Sequence, residues 1–284
     1  MRFLDWATGR LDRAIRAKRK IIALLNEKKQ VIIQRAVTRG LDPNVPLKPS
    51  GIPWLGDIPA HWETPLNQMV FRENIRPHFG NPEQPLSLSQ RDGLIATQDM
   101  RERSLKTSTF DNWKVVLPGD LVLNRFKAHL GVFFAATLRG IVSFHYGVFA
   151  PRVRINVKYY EHLYHTLPYR TIFAGQSNGM TVGLQNLSNQ NFYNTRTVIP
   201  PFEEQEKIVA FIDNETFGLN SAISLHEREI ELLREYRTRL IADVVTGKLD
   251  VREAVAKLPN EVIEEVVDEL AEEESETDDP EVET

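Results

Sequence analysis

Apolar residues recur at alternating spacings of four and three along two widely separated stretches of the chain. Leu11, Ile15, Ile22, Leu25, Ile32 and Ala36 mark the first; Leu219, Ile223, Ile230, Leu233, Leu240 and Val244 mark the second. That spacing is the seam of a coiled coil and predicts two long helices. Lys18 and Lys29 interrupt one seam, His226 and Arg237 the other, and polar seam residues fix register at some cost in stability. Two amphipathic helices packing on the middle region would be the plainer reading. Between the helices the period shortens. Runs rich in β-formers at Pro85 to Ser89, Trp113 to Leu117, Asp120 to Leu123, Gly131 to Ala136, Ile141 to Val142, Gly147 to Val153 and Thr197 to Ile199 predict short strands, and Tyr159 to Thr166 predicts a helix. Pro43, Pro46, Pro49, Pro53 and Pro59 end the first helix, and Pro200-Pro201 close the middle region. Glu203, Glu204 and Glu206 then place negative charge where the second helix begins. The expected fold class is α+β: one mixed α/β domain flanked by two long helices that form an antiparallel coiled coil. The segments are residues 1–43, a first helix; 44–202, the mixed domain; 203–257, a second helix; and 258–284, an acidic tail expected to be disordered.

The two helices are copies. Sliding the chain by 208 positions lays Ala14 to Asp42 on Ala222 to Asp250 without a gap, with eleven of 29 residues identical, against about two by chance. Charge separates what sequence duplicates. Arg10 to Gly40 carries +8, Asn44 to Phe202 +6 and Glu203 to Asp250 −5, while Leu258 to Thr284 holds 13 acids and no Lys or Arg. A basic helix facing an acidic one suits pairing with each other, either within one chain or reciprocally between two copies. A basic body with an acidic tail suits a polyanion partner. Without cysteine there is no disulfide or cysteine-bound zinc. No apolar run approaches the roughly 20 residues of a membrane span, and Met1 to Arg10 lacks a signal-peptide core; a soluble, cytoplasmic protein is expected.

Catalytic signatures are missing. No two of the 15 glycines lie two apart, as a dinucleotide-binding turn requires. Ile199-Pro200-Pro201-Phe202 has isoleucine where an adenine methyltransferase motif holds a polar group. Gly247-Lys248 lacks the rest of a phosphate loop, and Glu27-Lys28-Lys29 sits in a helix without an upstream acidic partner. His61, His145, His162 and His165 have no clustered carboxylates nearby in sequence and read as structural; Trp54 and Trp62 read as core packing. DNA readout is the positive case, since cations supply phosphate anchors and Arg, Asn and Gln can pair bidentately with base edges. Three segments offer such side chains: Ser89, Gln90 and Arg91; Asn124, Arg125, Lys127 and His129; and Gln176, Ser177, Asn178, Thr181 and Gln185 among three glycines. A solvated polar loop is the plain alternative for each.

Several ordered strings carry a family resemblance. Ser50-Gly51-Ile52-Pro53-Trp54-Leu55-Gly56-Asp57-Ile58-Pro59-Ala60-His61-Trp62-Glu63 resembles the start of a target-recognition domain in specificity subunits of type I restriction-modification systems. Pro118-Gly119-Asp120-Leu121-Val122-Leu123-Asn124 is similar to a recurrent strand of such domains. Pro200 to Ile208, Leu232 to Arg237 and Val245 to Asp250 resemble the helical spacer. The resemblance spans about residues 4–252. It implies a non-catalytic subunit that directs a complex to double-stranded DNA. It also implies two methyltransferase subunits gripping the coiled coil and the recognition domain, and a restriction subunit joining them. No cofactor is expected on this chain; S-adenosylmethionine, ATP and Mg are expected on the partner subunits. The order departs from the family's recognition domain, spacer, recognition domain, spacer, because here a spacer comes first and one recognition domain follows. Three readings stay open: a half-size subunit that forms a homodimer, one that pairs with another half-subunit, or a truncated inactive copy. A coiled-coil DNA-binding regulator or scaffold without methyltransferase partners is the alternative of a different class.

Overall fold

The computed structural model describes residues 2–79, 83–90, 92–100, 110, 112–177, 186–256 and 258. Two helices dominate it: α1, Arg2–Arg39, and α6, Phe202–Val245. Between them lie β1 (Leu47–Pro49), β2 (Asp57–Pro59), α2 (Asn67–Val70), β3 (Phe71–Glu73), β4 (Leu86–Ser89), β5 (Gly93–Ala96), β6 (Lys114–Val116), β7 (Leu121–Asn124), β8 (Phe133–Ala135), β9 (Gly140–Val142), β10 (Tyr146–Pro151), α3 (Val157–Tyr164), α4 (Leu167–Gln176) and α5 (Asn189–Asn194), with α7 (Arg252–Ala256) after α6. The α+β expectation holds. The expected strand at Thr197 to Ile199 does not form a ladder: Ile199 makes an isolated bridge to Glu63.

The chain divides into two compact units, one of Ala23–Ile223 and one of the outer helix halves, beginning at Met1–Ile22 and Ser224. In the first, a four-stranded antiparallel sheet in the order β3-β10-β7-β8 separates two apolar cores. Leu121 and Leu123 of β7 face one core and Val122 the other; Phe133 and Phe134 of β8, and Phe149 and Val148 of β10, divide likewise. A sheet buried on both faces must be apolar at consecutive positions, which is why β7 reads Leu-Val-Leu instead of alternating. The turn before β7 is fixed by Gly119 at φ +88° and by buried Asp120, whose carboxylate accepts from the Leu117 N–H at 2.8 Å and from both Arg76 terminal nitrogens at 2.6 and 3.2 Å. The larger core stacks Phe133 on Phe173 and Tyr164 against Phe71 and Phe192. Trp62 is fully buried and Trp54 packs edge-on to Tyr169 at 4.7 Å, the core role read from sequence.

The seams pair antiparallel within the chain. In the outer unit Asp12 meets Arg237 at 3.5 Å and Lys18 meets Glu229 at 2.7 Å, and His226 Nδ1 lies 2.9 Å from the same carboxylate. In the larger unit Lys29 donates to Asn220 at 2.8 Å. Positions ascend on one helix as they descend on the other. Each polar residue that interrupts a seam therefore has a polar partner, three of the four across the helix pair. Pairing inside one chain and reciprocal exchange of the same helices between two copies would both make these contacts. The plainer packing is also present where the helices meet the globular domain: Ile33, Ala36 and Val37 of α1 and Ile208 and Ile212 of α6 belong to the larger core.

The duplication persists in geometry. Thr38 and Thr246 both back-bond to the carbonyl four residues earlier, at 2.6 and 2.7 Å. Gly40 and Gly247, one position out of step in the repeat, both follow their helices at φ +73°, where glycine alone is unstrained. Asp42 and Asp250 each accept the N–H two residues on. The surroundings differ. Ile33 and Val37 are 6% and 0% exposed, whereas their counterparts Ile241 and Val245 are 37% and 72% exposed.

Candidate nucleic-acid interface

The segment with the most polar candidates begins where β7 ends, at Asn124 opposite Tyr146 of β10. Asn124 caps the following 3-10 turn, Arg125–Leu130, by accepting the Phe126 N–H at 3.1 Å. Arg125 turns inward: its Nη2 donates to Glu73 Oε1 at 2.8 Å. The same carboxylate accepts from Lys114 Nζ at 3.3 Å and from the Asn189 amide, and the Glu73 N–H donates to the Tyr193 hydroxyl at 2.6 Å. Lys114 Nζ also donates to the Tyr146 carbonyl at 2.9 Å; burial lowers its ammonium pKa, partly opposed by Glu73. Two cations on one carboxylate leave this knot positive.

The other candidates divide in the same way. Ser89 closes the β4–β5 hairpin, its hydroxyl accepting the Asp92 N–H and donating to the Asp92 carboxylate, both at 3.1 Å. Gln90 is exposed at the tip. Gln176 ends α4, and its side-chain oxygen accepts from Thr195 at 2.7 Å; Ser177 back-bonds to the Phe173 carbonyl at 2.6 Å. These two therefore lie at a helix end, not in the open loop the glycines suggested. Lys127 is exposed, and His129 is half-buried with Nδ1 lacking a partner. Arg91, Asn178, Thr181 and Gln185 lie outside the described residues.

Two of the three segments converge. The Leu187 N–H donates to the Arg125 carbonyl at 3.1 Å, and Asn189 reaches Glu73, so the chain leaving the third segment is tied to the second. The hairpin's Leu88 shares the smaller apolar core with Tyr146. Sequence reasoning missed the residues most open to solvent at this sheet end. Phe126 and Phe144 are 37% and 58% exposed, and exposed His145 lies between them with ring centroids at 5.2 and 3.8 Å. Their aromatic character in a polar loop was the available signal.

The other histidines singled out from sequence differ in burial. His61 sits 2.8 Å from Glu204. His162 and His165 are buried, and burial pushes them down to about 3 and about 4, with nearby Lys158 adding to both shifts. Among the described residues no three His, Asp or Glu side chains are grouped to hold a metal ion, and no helix is long and apolar enough to cross a membrane.

No family model matches the sequence, and no curated protein matches it. Solved structures do match. The HsdS subunit from Thermoanaerobacter tengcongensis aligns over 87% of this chain and 57% of its own at 15% identity and a TM-score of 0.45. A chain from a structure that addresses assembly and conformational transition of the type I R-M system aligns over 85% of this chain and 57% of its own, at 16% identity and a TM-score of 0.50. The fold is HsdS-like. HsdS proteins are the specificity subunits of type I restriction-modification systems, so the fold implied by the sequence motifs is the fold found. This chain spans 57% of the length of each neighbour. Within the HsdS-like fold the globular domain lies between the two helix copies in sequence, and its braced sheet end gathers Glu73, Lys114, Arg125 and Asn189.

Proposed function

We propose that this chain is a non-catalytic DNA-recognition subunit of a type I restriction-modification complex. The observation that carries the reading is the HsdS-like fold, built from one globular domain of net charge +6 between two repeated helices. The globular domain reads DNA, with phosphate contacts from its cations positioning it and the sheet-end loops meeting base edges. Methyltransferase and restriction subunits are the partners, and they hold S-adenosylmethionine, ATP and Mg. For gripping the helix pair, α6 offers Leu225, Leu232 and Tyr236, which are apolar, 49 to 59% exposed and clear of the seam.

The pairing of α1 with α6 inside one chain bears on how a half-size chain reads a two-part target. The globular domain is already seated on its own Ile33 and Val37, whereas the matching Ile241 and Val245 face is open. In an identical copy the domain surface that would meet that face is already seated on Ile33 and Val37. Pairing with another half-subunit that carries an uncovered recognition domain fits better than a homodimer. Co-expression with the methyltransferase encoded beside it tests the reading: a methyltransferase co-purifies and site-specific adenine methylation appears in the genome. DNA binding with no methyltransferase and no methylation would leave a regulator or scaffold instead.

A further inference from the structure

Phe126, His145 and Phe144 form a column of rings standing out of the globular domain. Its members come from the two loops that leave paired strands at one point, since Asn124 and Tyr146 are cross-strand partners. Phe71, Phe133, Phe149, Phe173 and Phe192 of the same domain are fully buried, while Phe79 and Phe110 are exposed outside this column. Solvent exposure of two adjacent phenylalanine rings, at 37% and 58%, is a standing cost that marks a contact surface.

The base of the column is braced from below. Asn124 holds the Phe126 N–H, Arg125 is anchored on Glu73, and Lys114 holds the Tyr146 carbonyl next to His145. Rings held on such a base lose little freedom on binding, so their contact area converts efficiently into affinity. The surroundings are cationic: Lys127 is exposed next to Phe126 in the chain, and Lys114 and Arg125 outnumber Glu73 beneath. Aromatic faces framed by cations match nucleic acid, whose bases offer π-faces inside a shell of phosphates.

We propose that the Phe126–His145–Phe144 column is a base-stacking element, which seats its rings against a base step opened at the groove edge while Lys127 pairs with a flanking phosphate. The proposal rests on the DNA-recognition reading above. It makes Asn124 and Arg125 positioning residues and moves direct contact to Phe126, Phe144, His145 and Lys127.

The test is fluorescence anisotropy of the full chain with a short mixed-sequence duplex, fully paired or carrying one bulged nucleotide, over a series of salt concentrations. Wild type should bind the bulged duplex more tightly, because its base is already unstacked. The double variant Phe126→Ala/Phe144→Ala should lose about 10- to 100-fold in affinity with an unchanged salt slope, and lose the bulge preference. Phe144→Tyr should stay close to wild type. Lys127→Ala should instead reduce the salt slope by about one. Thermal unfolding of each variant checks that these surface changes leave the fold intact. A double variant that binds both duplexes like wild type overturns the stacking element alone; so does one that binds DNA normally but no longer co-purifies with methyltransferase, which would make the rings a protein contact. Wild type that binds neither duplex at low salt defeats the DNA-recognition reading itself, and the stacking element with it.

Discussion

His162 in α3 and His165, which caps that helix's C-terminus, are both buried and both kept neutral because burial disfavours the imidazolium. Their ordinary pKa of 6.5 falls to about 3 and about 4 in the fold. Between those values the unfolded chain binds protons that the folded one refuses, so stability is complete above pH 6.5 and declines as pH falls. Each imidazole contributes a slope of up to about 1.4 kcal/mol per pH unit. Urea unfolding at neutral and mildly acidic pH should show this decline, and a flat profile would mean the rings are hydrated. Glu161, raised by burial against the opposing pull of Lys158, tilts the other way at the acid end of the window. Two further residues separate chemistry from role. Asn124 and Arg125 are read as DNA-contact candidates from residue type, but type does not say whether a side chain is already engaged. Since Asn124 caps a turn, Asn124→Ala should cost about 1 kcal/mol of folding stability, measured by the same unfolding assay in the absence of DNA. An unchanged stability would return Asn124 to the list of direct readers.

Among elements, the helix pair was the most legible, because eight or more positions repeating at one spacing leave little room for another structure. Its energetics should follow burial more than charge. Ile230 is 7% exposed in the seam, and Ile230→Ala should cost about 2 to 5 kcal/mol. Glu229, which both Lys18 and His226 reach, is 38% exposed, and Glu229→Ala should cost clearly less than Ile230→Ala. Chemical unfolding of the two variants side by side checks the order; a larger loss for Glu229→Ala would show that the polar layer stabilises the pair. Strands flanked by strong turn residues, such as β7 after Pro118-Gly119, were also readable. Short elements were not. β3 is three residues long, and α4 buries only Tyr169 and Phe173, too short an apolar face to rise above the surrounding loops. Their formation depends on the core, where Phe71 meets Tyr160 at 5.1 Å and Tyr164 meets Phe173 at 5.5 Å, and such long-range pairing leaves no local mark.

At the scale of the whole molecule, the sequence showed the duplication but not how the copies pair. Helix charges of +8 and −5 suit one chain or two equally well, and Asp12 beside Arg237 and Lys18 beside Glu229 are contacts that either arrangement makes. Intrachain pairing has a direct consequence. In a mixture of isotopically light and heavy chains, a zero-length cross-linker should join Lys18 to Glu229 in peptides that are wholly light or wholly heavy. Peptides of mixed mass would show reciprocal exchange and restore the homodimer as the route to a palindromic target. The open face makes the companion prediction. Val245, 72% exposed, occupies the position at which Val37 is fully buried against the globular domain. Charging it should cost little in the isolated chain, because surface changes away from the core are usually within about 0.5 kcal/mol. If that face receives the recognition domain of a second half-subunit, Val245→Asp should leave the unfolding midpoint near wild type. It should also abolish methylation of any two-part motif, because a single recognition domain reads only half of it. Genome-wide methylation mapping in cells that express the variant with its methyltransferase and the second half-subunit measures the outcome, and undiminished two-part methylation would rule out that face as the docking surface.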